Sequence, residues 1–533
     1  MASETVASNF EPSLWSTFFI DYELKPLQRS EEWMRKRADE LKEKVRTQLG
    51  TCEDIVGTMN LVDAIQHLGI EHLFKQEIDN TLRDIRTSEF TSSSLHEVAL
   101  WFRLLREHGL WVSPDVFGKF KFDGDDARLS SVIADHDTRG LLSLYNAAHL
   151  LVHGEPELEE AISIARHRLK SMTRDCDLNP VLANQVNRAL NIALPRTCKR
   201  LETSLFISEY EQEEGYSEIL LELAKLDFNI VQNVHLMELK SISEWWRDLY
   251  TYVGLNYARD RAVEGYLWSC LVFYEKDLSF TRTFVAKMIL LVTLMDDTFD
   301  SHATIQECRQ LNSAIQRWDE SAVTLLPEYL KKFYRELLRN FKVLQDQVTD
   351  NDKYRVTYTR KEFQKLSTYY LQEAEPSFGD QITLTAMSSV IPLLCVSGTV
   401  GMGYVTMETF EWVASRTTAI VASAKIGRFM NDIAAMKRGK NKGDAASSVE
   451  CYMNEHKVTM EVAIDKIDSL VEDEWRTLNQ AHFEDHKLFP VVEQVVNLTA
   501  SMASFYDERK DAYTFPTLLQ DTIESLFVNP VPI

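Results

Sequence analysis

All-α, in two helical halves, is the fold class this sequence predicts, and three features predict it. The 533 residues include only 18 glycines and 13 prolines, about half the average share, so turns are scarce and long helices are favoured. Apolar residues recur at helical spacing, as in Leu61, Ala64, Ile65 and Leu68. No convincing strand-like alternation, internal repeat or low-complexity tract interrupts that pattern. A chain of this length is expected to form two or more domains, and 45% hydrophobic residues allow a sizeable core.

The elements follow in order. Residues 1–30 carry few helix signals around Phe10, Pro12, Ser13 and Trp15 and read as an irregular arm. Helical patterns fill the stretch from Glu31 to Pro195. The polar run 208–217 is the expected junction, giving an N-terminal domain over 31–215 and a C-terminal domain over 216–533. Beyond it the helices lengthen and become more apolar, at 220–239, 283–295 and 418–436. Residues 382–407 contain no charge and could cross a bilayer by length. Their hydroxyl side chains, Pro392 and three glycines instead fit a buried, cavity-lining helix with a break, so no transmembrane segment is expected.

Charge narrows the function. With 58 basic and 81 acidic residues the net charge is −23, a field that repels nucleic acid and anionic membranes. An anionic substrate must then be met by a local basic patch or by metal. Seven scattered cysteines without a CxxC pair read as free thiols of a reducing compartment. The N-terminal residues show no signal or transit pattern, which makes the cytosol the expected location.

The apolar segment 284–295 runs straight into Asp296, Asp297, Thr298, Phe299 and Asp300. On a helix, Asp296 and Asp300 share a face about 6 Å apart. Two carboxylates ending an apolar helix repel one another unless a cation sits between them. Magnesium suits them, because one or two carboxylates hold it while water and phosphate oxygens complete its octahedron. An acidic helix end in solvent is the alternative. Upstream, Arg259 and Arg261 flank one residue and can grip a diphosphate through bidentate guanidinium forks. Trp268 follows them. Arg428, Asn431 and Asp432 sit on another apolar helix, and Tyr506, Asp511 and Tyr513 lie in a C-terminal aromatic stretch.

In this order and spacing the set resembles the plant class I terpene synthases, in particular the cytosolic sesquiterpene cyclases, over essentially the whole chain. Further matching pieces are Leu226 to Asn229, Trp245-Trp246, and Ala446 to Met453. The resemblance implies an N-terminal relic α-barrel, whose first residues cap the pocket, and a catalytic C-terminal domain with the class I terpenoid synthase fold. It implies a monomer that uses three Mg²⁺ ions, with Mn²⁺ as a substitute. Asp296 and Asp300 would hold two ions, and a second motif containing Asn431 the third. Arg259, Arg261, Arg428 and Asn431 would contact the prenyl diphosphate, and Trp268 and Tyr513 would face the carbocation. A helix break at Val396 to Gly398 would aim carbonyls at that cation. Asp297 is expected to pair with a base, and Thr298 and Phe299 to be structural.

Two departures stand out. The family's second motif places Asn or Asp, Ser or Thr, and Glu at four-residue steps, whereas this chain has Asn431, Ala435 and Gly439. Lys437, Arg438, Lys440 and Lys442 follow, and this basic patch is expected to compensate partly for the missing ligands. The segment 373–378 is also shorter than in relatives and lacks their Trp. Two decoys are set aside. Asp123 to Asp126 spells the acid motif of class II cyclases but falls in a polar loop, and His149 and His153 lack the Glu of a zinc-protease motif and read as structural beside a Gly154 helix cap. Farnesyl diphosphate is the expected substrate. Geranyl diphosphate, a trans-prenyltransferase activity and a non-catalytic isoprenoid binder remain as alternatives.

Overall fold

Every regular element among the described residues is helical, as the scarcity of turn formers requires. The computed structural model describes residues 10–23, 29–52, 54–120, 137–173, 178–375, 386–438 and 447–533. Asp123 to Asp126, Cys176, Pro376 to Phe378, Gly439, Lys440 and Lys442 therefore lie outside the described residues. Short polar side chains set many of the helix starts. Ser30 opens Glu31–Thr51, Asp54 opens Ile55–His67 and Ser94 opens Leu95–Glu107, each accepting a backbone N–H of the first turn.

The chain divides into two compact units. Within the described residues, the first comprises Pro26–Gln232, Arg476–Val492 and Asn529–Ile533, and the second Met1–Lys25, Asn233–Trp475 and Glu493–Val528. The border thus falls inside the helix Glu218–Val253 and not at 208–217. The first three of those polar residues end the helix Lys199–Tyr210, and the rest make only a turn before the long helix, with Gly215 at φ +79°. The first fifteen residues of the long helix still belong to the N-terminal unit, where the Arg200 guanidinium lies 3.6 Å from the Phe228 ring centre. A turn signal marked an element end, not a domain end. The arm also joins the second unit, with Trp15 and Phe19 buried.

In the first unit, Arg106 is fully buried. It donates to Glu155 at 2.5 and 2.8 Å and to the carbonyls of Val112 and Leu150, sandwiched 4.3 Å from both the Phe102 and Trp111 ring centres. His149 bonds the Tyr145 carbonyl and His153 the Thr477 hydroxyl, so the two are structural and separately engaged. Gly154 is not the helix cap: the helix Thr138–Ala148 ends at His149, and Gly154, at φ +84°, makes the turn before Pro156.

In the second unit, α1 (Ala262–Val272) is buried along its whole length and packs on α2 (Ser279–Asp297). Gly265 permits the contact, because a Cβ there would meet Leu290 at 2.9 Å. Around them stand α3 (Lys353–Ala374), α4 (Ile391–Ser397), α5 (Thr418–Arg438), α6 (Ser448–His456) and α7 (Phe489–Phe505). The uncharged stretch does contain a buried helix, α4, that stops at Ser397. Beyond it, the Arg355 guanidinium donates to the carbonyls of Thr399, Met402 and Val405. Among the described residues only Lys276–His302 is long and apolar enough to cross a membrane, and 72% of its apolar window is buried in this protein.

Two consequences for stability follow. Arg106→Met leaves Glu155 buried without its partner and should cost about 3–5 kcal/mol, most of it recovered when Glu155→Met is added; denaturant midpoints of the single and double variants measure this. Glu264 on α1 is fully buried, and neither carboxyl oxygen bonds another residue among those described. Burial raises its pKa to about 7, opposed by Arg261 and reinforced by Asp260. The folded state therefore binds the extra proton, and stability contributed by that proton is present below about pH 4.5 and lost as pH rises through about 7. Glu264→Gln should raise the melting temperature relative to the parent at pH 8 and not at pH 5, with a difference on the order of 3 kcal/mol between the two.

Candidate active site

The site begins where the start of α1 meets the end of α2. Residues 284–295 of α2 are buried except for the half-buried Lys287, so its last turn carries its charges into the unit's interior. Past Asp297 the helix widens into a π turn over Thr298–His302, a geometry that recurs at functional sites. Thr298 holds that turn by donating to the Leu294 carbonyl at 2.6 Å and meeting the Tyr257 hydroxyl at 2.9 Å. Phe299 is buried 5.9 Å from the Tyr370 ring. Asp296 and Asp300 then line one cavity of about 280 Å³.

Asp297 borders the same cavity but is committed to Arg259. It is 2% exposed and accepts the Arg259 backbone N–H at 2.7 Å and its Nε at 3.2 Å, with Nη2 at 2.8 Å. The same Nη2 reaches Asp296 at 2.8 Å. Arg259 is thereby fixed against both aspartates, with its guanidinium 5.4 Å from the Tyr513 ring centre and 5.3 Å from that of Phe10.

Arg261 differs from its expected role. It is fully buried and absent from the cavity lining, because it donates to the carbonyls of Asp260, Tyr513, Thr514 and Glu11 at 2.7–2.9 Å. Four carbonyl acceptors make it a clamp on the arm and the C-terminal loop, not a phosphate fork. Sequence could not separate the two arginines, since both lie in the same three-residue pattern.

The apolar part of the lining includes Trp268, Ile289, Val292, Leu394 and Tyr513. Trp268 donates to the Ser501 hydroxyl at 2.9 Å and stacks 4.4 Å from Phe505. Tyr513 meets the Thr293 hydroxyl at 2.7 Å. The helix stop at Val396 to Gly398 is not part of the lining, which Ser388, Ser389, Val390 and Ile391 supply instead.

Glu373 and Tyr370, one turn apart on α3, also line the cavity and were missed as site residues. The end of α3 carries no motif that singles them out, and only their i, i+3 spacing hints at a shared face. Glu373 accepts the Ser388 hydroxyl at 2.6 Å and lies 3.6 Å from Arg428. Asp300 is exposed to the cavity, yet protein atoms crowd closely around its carboxylate. Burial and then the charges of Asp296 and Glu373 push its pKa well above the carboxylate range, against Arg428. Burial likewise raises Glu373. Like charges held this way are relieved by a cation among them. No set of three metal-ligating side chains is gathered among the described residues. Paired aspartates with oxygen donors alone, leaving positions for water and phosphate, fit a hard divalent ion such as Mg²⁺.

The α5 face carries Arg428, Asn431, Asp432, Ala435 and Arg438 into the same lining. Asn431 donates its amide to the Tyr506 hydroxyl at 3.0 Å. Asp432 is 2% exposed, pairs with Arg428 at 3.1 Å and accepts the Ser448 N–H at 2.8 Å. Ser447 and Glu450 form a reciprocal capping box at the start of α6, which explains that stretch of the sequence signature as structural.

Comparison with known proteins bears on this geometry. Residues 247–477 match the metal binding domain of the terpene synthase family, and residues 14–190 match the terpene synthase N-terminal domain. The chain is 47% identical to tau-cadinol synthase of Zea mays over 98% of both chains. It is 49% identical to alpha-copaene synthase of Zea mays, covering 98% of this chain and 99% of that one. Isoprene synthase of grey poplar, solved with three Mg²⁺ ions and dimethylallyl-S-thiolodiphosphate, superposes with a TM-score of 0.84 at 31% identity, covering 94% of this chain and 98% of its own. Matched in order by both domains of one family, and aligned nearly end to end with two plant members at almost half identity, this chain belongs to the terpene synthase family.

Proposed function

We propose that this chain is a sesquiterpene synthase that ionises farnesyl diphosphate, cyclises the resulting cation and releases diphosphate. One observation carries the reading: a single cavity joins a charged set, Asp296, Asp300, Arg259 and Arg428, to an aromatic and aliphatic set containing Trp268 and Tyr513. The relatives named for cadinol and copaene make sesquiterpenoids, which favours the fifteen-carbon substrate over geranyl diphosphate.

Asp296 and Asp300 would hold the divalent ions, Mg²⁺ or in substitution Mn²⁺, which when bound neutralise and polarise the leaving diphosphate. Arg259 and Arg428 add fixed positive charge to the departing oxygens. Heterolysis of the C–O bond leaves both electrons on diphosphate and an allylic cation on the hydrocarbon. The Trp268 and Tyr513 rings, locked by Ser501 and Thr293, offer that cation fixed π faces, each contact worth about 2 kcal/mol when desolvated. Attack by a remote double bond closes the ring, and loss of a proton or capture of water ends the sequence. Arg261 holds the arm, whose Phe10 lines the cavity, and so helps to exclude water.

The lining comes from one unit of one chain, which supports a monomer as the working species. All cysteines among the described residues are free thiols, which supports the cytosol. A non-catalytic isoprenoid binder is the second reading, motivated by Ala435, which can ligate nothing.

Incubation of the pure protein with C10, C15 and C20 diphosphates and Mg²⁺ should give volatile products chiefly from the C15 substrate, identified by mass spectrometry. Asp296→Ala should lower turnover about 10²-fold or more; near-parental cyclisation by that variant would sink the mechanism. Folded protein that releases no diphosphate would establish the binder reading. Arg261→Lys should lower turnover about tenfold through a loosened arm while inorganic diphosphate binds within about twofold of the parent. Arg259→Lys should weaken that binding directly.

A further inference from the structure

The α5 face poses a problem that the aspartate end of α2 does not. Its cavity-lining positions recur at helical spacing: Arg428, Asn431 with Asp432, Ala435 and Arg438. Taken one by one they offer a cation almost nothing. The Asp432 carboxylate is 2% exposed and is committed to Arg428 and to the Ser448 N–H. Ala435 presents a methyl group. The nearby Ser447 hydroxyl donates to Glu450 and accepts its N–H within the capping box of α6. Asp511, 8% exposed, accepts the Thr514 N–H at 3.0 Å and lies 3.5 Å from Arg438. Among the described residues of this face the Asn431 amide oxygen remains, because its amide nitrogen is turned to Tyr506. One neutral oxygen is a weak hold for a small hard cation that demands a full octahedron.

The same face is instead rich in fixed positive charge. Arg428 lies one turn before Asn431, and Arg438 two turns after it at the last residue of α5, each with its side chain only about a quarter exposed. Guanidinium groups repel a metal ion and bind phosphate oxygens in a planar fork. Their charge does not depend on recruiting an ion from solution.

We propose that in this chain the guanidinium of Arg438, acting with Arg428, takes the place of the third metal ion that the family resemblance implies for this face, so that diphosphate is bound by two divalent ions and two arginines. The inference rests on the synthase reading above and concerns only how this protein completes the charge around the diphosphate. Asp511 positions Arg438 in the absence of substrate, and a diphosphate oxygen displaces that long pairing.

The test uses the full chain with inorganic diphosphate, counting bound ions by electron paramagnetic resonance with Mn²⁺ and measuring diphosphate affinity calorimetrically in saturating Mg²⁺. Two Mn²⁺ ions per chain are expected for the parent, and three for the double variant Ala435→Ser with Gly439→Glu. Arg438→Ala should weaken diphosphate binding tenfold or more, and Arg438→Lys should retain most of it. Three ions in the parent, or diphosphate affinity of Arg438→Ala within twofold of the parent, overturns this inference and leaves the synthase reading intact. Metal-dependent diphosphate binding that is absent from the folded parent overturns the synthase reading itself.

Discussion

The buried pairing of Arg259 with Asp297 is the interaction on which the site depends. Asp297 takes both the backbone N–H and the guanidinium of Arg259, so it fixes the peptide leading into α1 as well as the side chain. A carboxylate at 2% exposure is tolerable only with such a partner. That bond sets the rotation of the last turn of α2, so that Asp296 and Asp300 open onto the cavity while Asp297, at its edge, is held by Arg259. It also explains why two adjacent aspartates have different work. One is structural cement, and its neighbours are left under-neutralised, which is the condition a cation relieves.

Much of this was legible in the sequence, for identifiable reasons. The all-α class followed from turn scarcity and period, which depend on local chemistry alone. Asp296, Asp300, Arg259, Trp268, Tyr513, Arg428 and Asn431 all reach one cavity, because helical spacing and the family pattern both constrain them. Arg261 was misjudged because its partners are carbonyls of Glu11 and of residues 513–514, some 250 positions away. Backbone acceptors leave no mark in a sequence. Glu373 and Tyr370 were overlooked for a related reason: their importance comes from where α3 ends, not from any motif they spell. The domain border was misplaced because polarity reports the end of an element, while apolar burial across a long helix decides which unit it joins.

The metal-binding character of the cavity is divided between two helices with different chemistry. The end of α2 gathers three carboxylates of which two share Arg259, and the α5 face carries Arg428 and Arg438 beside Asn431 and Asp432. A multiply charged anion lying between them would meet metal ions on the first and guanidinium groups on the second. The two sources of positive charge also respond differently to conditions. Ions bound at carboxylates depend on metal concentration and on pH, whereas arginine is charged throughout.

The clamp formed by Arg261 has an evolutionary reach beyond its place in the fold. One side chain holds the arm that carries Phe10 and the loop that carries Tyr513, so two parts of the cavity lining are inherited as a coupled pair. Drift in the arm is transmitted to an aromatic face without any change among the residues that touch a substrate. A substitution in the arm can therefore reshape the cavity from a position that a comparison of cavity linings would pass over. Selection can tune the outcome there while the ionising machinery stays untouched.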